Sequence, residues 1–469
     1  MLKLRKVLCV LLAVLMVAAL TACSGGTTGG APAADKPAAD APAADAPAAE
    51  DPAADDEGTP VEVLTWSNAA TVEYLKSIVD AFHEAYPQYK LVVTEVPSGE
   101  IDQVIQTRIS AANVDIVSFQ TFSRPQADWN KDSIDKPAWQ QYIDEGLLTD
   151  LTDEPYVQNY NVDTLMGNAY NGRLYSLNMG VVAYTGLFYN KAIFSELGLS
   201  VPKTWDEFIA VCEAVKADGR YSVLSAGAAD QWPLNMFANA IISANYGEDA
   251  EEIGKKLLTG EMKHTDPEIK LVYDCMEQFA SYLEPGVTGI AYSDAPGRFA
   301  LGNMAMYADG AWSFADIQKA NPDIEFGYFP LPGVNAREDG LDPQYGIKYD
   351  LSFAIPTNAP NSDGAKAFLE FISRKDVYTA FLNAIGFTPT QNVTLENEFL
   401  NSLASGLQKP CLNAEMYIYS PKGVGEYGSG QFSFLYLKTL GGPLTAEELA
   451  QKADEDFDTA RAALASLAE

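Results

Sequence analysis

A chain of 469 residues with 47% hydrophobic content, 21 Phe, 6 Trp and 24 Tyr is too long for one core and too apolar to be disordered in bulk, so at least two globular domains are expected. Its formal charge of −33 argues against nucleic acid or anionic headgroups as partners, and disfavours a strongly anionic ligand. Two histidines and five cysteines without metal-like spacing argue against a bound metal ion, and no phosphate loop, dinucleotide fingerprint or nucleophile elbow is present, so neither a cofactor nor an enzyme is expected.

The first sixty residues stand apart from the rest. Lys3, Arg5 and Lys6 precede an uncharged apolar run from Val7 to Leu20, and Leu20-Thr21-Ala22-Cys23 resembles a bacterial lipobox. Residues 1–22 then read as a signal peptide and Cys23 as the lipidated N-terminus of the mature chain. The run is shorter than the roughly 20 residues a membrane span needs. Five Ala/Pro-rich acidic pentapeptides occupy Ala31 to Asp55, making residues 23–60 a semi-stiff tether of about 3.1 Å per residue. Of the cysteines that remain, Cys212 and Cys275 sit among apolar neighbours in helical patterns, as free thiols.

From Val61 the pattern becomes globular. Val61–Trp66 reads as a strand, Thr71–Tyr86 as a helix stopped by Pro87, Leu91–Val96 as a strand, Ile101–Ala112 as a helix and Asp115–Phe119 as a strand. This β-α-β-α-β order implies a parallel sheet, and ligands on such sheets sit beyond the carboxyl ends of the strands. Trp66, Ser67, Phe119, Gln120 and Arg124 fall there.

Two apolar segments separated by Thr185-Gly186 read as one long strand over 181–191, passing between domains. Thr204 and Glu207 form a capping box ahead of a helix whose first residue, Trp205, is read as packing. Trp232 precedes an apolar helix over Met236–Ile242 and is a ligand candidate. The run Met304–Ala308 is a buried strand delivering Asp309, Gly310 and Trp312 into a turn, and Leu351–Ile355 is another strand, entered through Asp350. Gly423–Gly430 reads as a loop, and Thr445 caps a final acidic helix to Leu467.

A sugar presents an apolar C–H face and a rim of hydroxyls, so its site needs flat aromatic rings beside hydrogen-bonding side chains. Trp66, Trp232 and Trp312 offer the rings, and Gln120, Arg124, Asp309 and Asp350 the polar groups. The lipobox, the tether, Trp66, L-F-Y-N-K at 187–191, P-K-T-W-D-E-F at 202–208, G-N-M-A-M-Y-A-D-G-A-W at 302–312 and P-L-P-G at 330–333 follow one another in order. Together they resemble the extracellular solute-binding proteins of ATP-binding-cassette importers, in the carbohydrate group that includes maltose-binding protein.

The resemblance implies an α/β clamp of two lobes, each a mostly parallel sheet flanked by helices. Hinge crossings would fall near Val181–Tyr184, Ala308–Gly310 and Asp350–Ala354. Lobe one is then 61–181 with 311–350, and lobe two 182–310 with 351–469. Trp312 would stack on a sugar ring, with Trp66 and the Phe119-Gln120 loop on the lobe-one wall and Trp232 on lobe two. The acidic contact of maltose-binding protein at the first crossing would fall near Ala183, so maltose itself is not implied. The expected function is a monomeric, lipid-anchored receptor outside the cytoplasmic membrane, touching the membrane only through its anchor and delivering a carbohydrate to permease subunits. A receptor for a polyol phosphate or polyamine, and a lipid-anchored polysaccharide hydrolase, are the alternatives.

Overall fold

The computed structural model describes residues 58–334, 346–406 and 411–468. The signal sequence, Cys23 and nearly all of the tether lie outside the described residues. Nine strands form the framework among those described: β1 (Thr59–Trp66), β2 (Tyr89–Val96), β3 (Ile116–Phe119), β4 (Leu177–Asn190), β5 (Ser222–Ser225), β6 (Met304–Asp309), β7 (Phe326–Pro330), β8 (Gly346–Ala354) and β9 (Cys411–Leu412). They run in the order β2-β1-β3-β8-β4-β6-β5, with β7 added on β4 and β9 on β8.

Both faces of β1 are buried from Val63 to Trp66, and both of its edges are paired, to β2 and β3, in parallel register. Its neighbours are helices with one apolar face each. The stretch read as one helix over 71–86 is two, Ala69–Ser77 and Val79–Ala85, broken at Ile78, whose ψ of 1° lies outside helical geometry. Asn68 caps the first of them by accepting from Thr71 N at 2.9 Å.

β4 has 14 residues, nearly all buried, and serves two sheets. Leu177–Thr185 pairs antiparallel with β8, while Gly186–Asn190 pairs with β6 on one edge and β7 on the other. The change of partner falls at Thr185-Gly186, where a β-branched residue meets a glycine over which the Tyr328 ring lies; a Cβ there would sit 2.4 Å from that ring. The two-lobe α/β plan therefore stands, with a mixed sheet: parallel between β1, β2 and β3 and between β5 and β6, antiparallel wherever β4 or β8 meets β3, β6, β7 or each other.

Two segments sit differently from the expected lobe division. Leu351–Ala354, expected with lobe two, pairs with β3 of lobe one, Ala354 lying opposite Val117. The helices that follow, Ser362–Ile372 and Lys375–Ile385, go with it, because their aromatic faces meet lobe one: Phe368 lies 6.0 Å from Phe82 and Phe381 lies 5.4 Å from Tyr74. Conversely β7, expected in lobe one, hydrogen-bonds to the lobe-two half of β4. From about Phe399 the chain returns to lobe two, where that ring stacks 6.1 Å from Phe188.

The capping readings correspond to real contacts. Thr204 Oγ1 accepts from Glu207 N at 3.3 Å, and the Glu207 carboxylate reaches back to Lys203 N at 2.7 Å. Trp205 is 3% exposed, with its Nε1 donating to Gln278 Oε1 at 2.6 Å. Thr445 caps the last helix, Ala446–Ala468, in the same reciprocal way with Glu448. Cys212 and Cys275 are free thiols, and they and Cys411 are buried.

Candidate functional site

The carboxyl ends of β1 and β3 open into a cleft of about 620 Å³. Trp66 closes one side, the stretch Gln120–Arg124 after β3 forms the floor with Lys348 of β8, and the loop Glu415–Val424 faces them from lobe two. That loop is tied to lobe one by backbone bonds from Arg124 N to Met416 O (3.1 Å) and from Lys422 N to Ser133 O (2.8 Å). Strand ends plus one crossing loop are what an α/β sheet offers a ligand.

The floor is charged, with Lys348 buried and Gln120 and Arg124 exposed. Lys348 is 4% exposed, and its ammonium donates to Gln120 Oε1 at 2.7 Å while lying 4.6 Å from the centre of the Tyr184 ring. Burial pushes the Glu415 carboxyl up, but Lys348, Arg124 and the Tyr184 hydroxyl outweigh it and hold the group below the usual range. Arg124 has φ +50° and its guanidinium makes no hydrogen bond or ion pair with other described residues. Asp102, Asp135 and Glu415 balance Arg124, Lys348 and Lys422 around the cleft, so the lining carries no net charge.

A second aromatic group lies beside this floor. Trp312 stands 5.5 Å from Tyr184 and 6.4 Å from Trp232, and Trp232 lies 4.6 Å from Tyr292. The Trp312 indole N–H donates to the Tyr292 hydroxyl. Its ring rests on Gly310, where a Cβ would come within 2.0 Å of the six-membered ring, so only glycine fits that position. Trp232 is 38% exposed and is the first residue of the helix Trp232–Tyr246 rather than part of a loop before it. Tyr184, between Trp312 and Lys348, joins the two groups.

The sequence-derived residues thus divide. Trp66, Gln120 and Arg124 line the cleft, and Trp232 and Trp312 form the adjoining aromatic group. Ser67 is exposed just beyond Trp66, its hydroxyl turned to Val96 O, and is not on the cleft wall. Asp350 is half-buried on β8 opposite Gly180 and accepts from Leu351 N at 2.9 Å; Leu351 takes φ +49° to allow it.

Asp309 is the clearest correction. It is 0% exposed and accepts from Tyr307, Ser313 and, at 2.8 Å, Gly310 N, so it fixes the turn that carries Trp312 and has no face free for a ligand. Burial drives its carboxyl up to about 6 against the pull of those donors. A raised carboxyl contributes its full stability below the unfolded value of 3.8 and loses it as pH rises through 6. Asp309→Asn removes this titration. The stability difference between wild type and variant, measured by urea unfolding, is expected to change by about 2–3 kcal/mol between pH 4 and pH 7, wild type losing ground as pH rises.

Lys348, Glu415 and Tyr184 were not singled out from sequence. For Lys348 a signal existed, a lysine two residues before Asp350 in the strand G-I-K-Y-D-L-S-F-A, whose other residues are apolar or aromatic except Ser352. Glu415 carried none. Gly423 and Val424, read as part of a loop, lie on the cleft wall, and the short helix Glu426–Ser429 follows them.

Comparison with known proteins bears on what such a cleft holds. The chain is 25% identical over 305 residues to the multiple sugar-binding protein of Streptococcus mutans, covering 64% of this chain and 67% of that one. It is 23% identical over 257 residues to the melibiose/raffinose/stachyose-binding protein MelE of Bacillus subtilis, covering 52% and 57% respectively. Among solved structures, the solute-binding protein RafE in complex with raffinose superposes with a TM-score of 0.70 at 22% identity, covering 86% of this chain and 100% of that one. A chitin oligosaccharide binding protein gives 0.67 at 22% identity, covering 87% and 100%. Residues 66–378, which contain β2 to β8, match the family described as bacterial extracellular solute-binding protein. With two lobes sharing β4 and a cleft between them, this chain belongs to the bacterial extracellular solute-binding proteins.

Proposed function

We propose that this chain is a lipid-anchored receptor on the outer face of the cytoplasmic membrane that binds a sugar or oligosaccharide between its lobes and delivers it to an ATP-binding-cassette permease. The observation that carries the reading is the cleft's composition: Trp66 for a sugar's apolar face, Gln120, Arg124, Lys348 and Glu415 for its hydroxyls, and no net charge. A polyamine calls for an acidic lining and a polyol phosphate for a basic one, and the balance favours neither. Glu415, held ionised, suits accepting hydroxyl hydrogen bonds better than the proton donation a hydrolase needs. Sugar binders in the curated relatives and structural neighbours support the same ligand class.

In this reading Trp66, Gln120, Arg124, Lys348 and Glu415 hold the ligand, and Trp312 and Trp232 meet it when the lobes close and expel water. The lipid on Cys23 and the tether of residues 23–60 keep the clamp near its permease, as a monomer. No helix among the described residues is long and apolar enough to cross a membrane.

A thermal-shift screen over mono-, di- and oligosaccharides, with polyamines and polyol phosphates alongside, tests the ligand class. A sugar at a hundred times its Kd is expected to add about 2.7 kcal/mol of stability. No shift with any sugar, or a larger one with a charged solute, overturns the proposal. For the anchor, Cys23→Ala is expected to move the protein from the membrane fraction to a soluble one.

A further inference from the structure

The ring that Trp312 offers to a ligand is set by a carboxylate that no ligand can touch. Asp309 ends β6 fully buried, and it reaches the surroundings of that indole from three directions. Its Oδ1 accepts at 2.8 Å from the N–H of Gly310, the residue on which the indole rests. Its Oδ2 accepts from the hydroxyl of Ser313, the residue after the indole, and from Tyr307 Oη at 2.5 Å. The Tyr292 hydroxyl, which accepts the Trp312 indole N–H, turns its own proton toward Asp309 and helps draw that carboxyl down. A charge at the end of this relay polarises the Tyr292 oxygen and strengthens its hold on the indole. Tyr292 also lies 4.6 Å from Trp232, so the same carboxylate braces the neighbour of the second ring.

Each of these donors is neutral. The ionisable groups around Asp309 are Tyr307 on its own strand, Tyr184 on β4, Tyr292, and Tyr328 on β7, whose hydroxyl donates to Asp309 O at 3.0 Å. Beyond Tyr292 comes Asp316 of the helix Phe314–Ala320. With tyrosines and an acid around it, the carboxylate is held by hydrogen bonds from uncharged groups. Protonation turns one of its oxygens from an acceptor into a donor, so at least one of the bonds that brace the indole has to reorient.

We propose that ionised Asp309 is a positioning residue for ligand capture: it holds the Trp312 indole against Gly310 and Tyr292 in the orientation on which a sugar ring stacks, and protonating it loosens that ring and weakens binding. This rests on the sugar reading of the cleft. The charge costs stability and serves affinity. Ionisation of this buried acid lowers stability as pH rises through about 6, whereas the affinity it supports rises over the same interval. A residue that only maintained the fold would move the two together.

Two measurements on the full-length protein test this. In proton–nitrogen correlation spectra the indole N–H of Trp312, identified by its absence from Trp312→Phe, reads the bond to Tyr292. Calorimetry with the sugar that gives the largest thermal shift reads affinity. In wild type the indole signal is expected to titrate near pH 6, and affinity to fall by about threefold to tenfold from pH 7.5 to pH 5. Asp309→Asn is expected to bind with the weaker, acid-limit affinity at both pH values, its indole signal not titrating. Ser313→Ala is a milder change that removes one donor to the carboxylate, and it is expected to move both midpoints upward. An indole signal constant with pH in wild type, or affinity that ignores pH while the indole titrates, overturns the proposal. Failure of every sugar to bind at either pH brings down the sugar reading and this inference with it, a result distinct from sugar binding without pH dependence.

Discussion

Trp312→Ala is expected to weaken sugar binding by about fivefold to over a hundredfold, the equivalent of the 1–3 kcal/mol that one buried aromatic face contributes. The ring is half-exposed, lies flat on Gly310, and is held edgewise by Tyr292, so the fold asks little of it and a ligand could use its free face. Trp205→Ala is the opposite case. That indole is 3% exposed against Phe208 at 5.3 Å, far along the chain from the cleft walls, and its loss is expected to cost about 3–5 kcal/mol of stability with affinity unchanged. Denaturant unfolding and calorimetry on the two variants separate the roles. Equal sugar affinity in Trp312→Ala and wild type would remove that ring from the site.

Lys348→Met is expected to damage both properties together. The substitution keeps most of the side-chain volume and removes the ammonium that satisfies Gln120 and offsets Glu415. Removing the cation that does most to hold a buried carboxylate ionised is expected to cost up to about 3 kcal/mol, the low end of the range for such pairs. In wild type the depressed Glu415 carboxyl contributes stability above the unfolded carboxylate range and loses it on acidification. Without Lys348 only Arg124 and the Tyr184 hydroxyl oppose burial, so the carboxyl is expected to rise and its contribution at neutral pH to shrink. The stability gap between wild type and variant is therefore expected to widen from pH 4 to pH 7, and a gap independent of pH would show that Lys348 does not set the Glu415 charge. Sugar affinity at neutral pH is expected to fall by at least about tenfold, since the floor then presents an uncompensated charge to a neutral ligand.

Local chemistry was legible in the sequence, and long-range placement was not. The strands at 61–66, 91–96 and 116–119, the crossing strand around Thr185-Gly186, the Thr204 and Thr445 caps and the packing of Trp205 depend on residues within a few positions of one another. The lobe membership of β7 and of Leu351–Ile385 depends on which sheet edge is free when the chain returns, and periodicity carries no such information. Asp309 was readable in principle. Tyr307 lies two residues before it, on the same strand face, and Ser313 four after, so both hydroxyl donors that the carboxylate accepts from are close in sequence. The partnership of Lys348 with Gln120 and Glu415 joins residues that only the folded sheet brings together.

The shared strand has a mechanical consequence. Because β4 donates its first half to one sheet and its second half to the other, neither lobe owns a complete set of strands, and the described globular residues behave as one compact unit. Severing the chain at Thr185-Gly186 would leave two fragments, each missing a central ladder. Heating should accordingly melt the clamp in a single cooperative transition instead of one lobe at a time. Any hinge between the lobes would therefore have to preserve the strand that both sheets share.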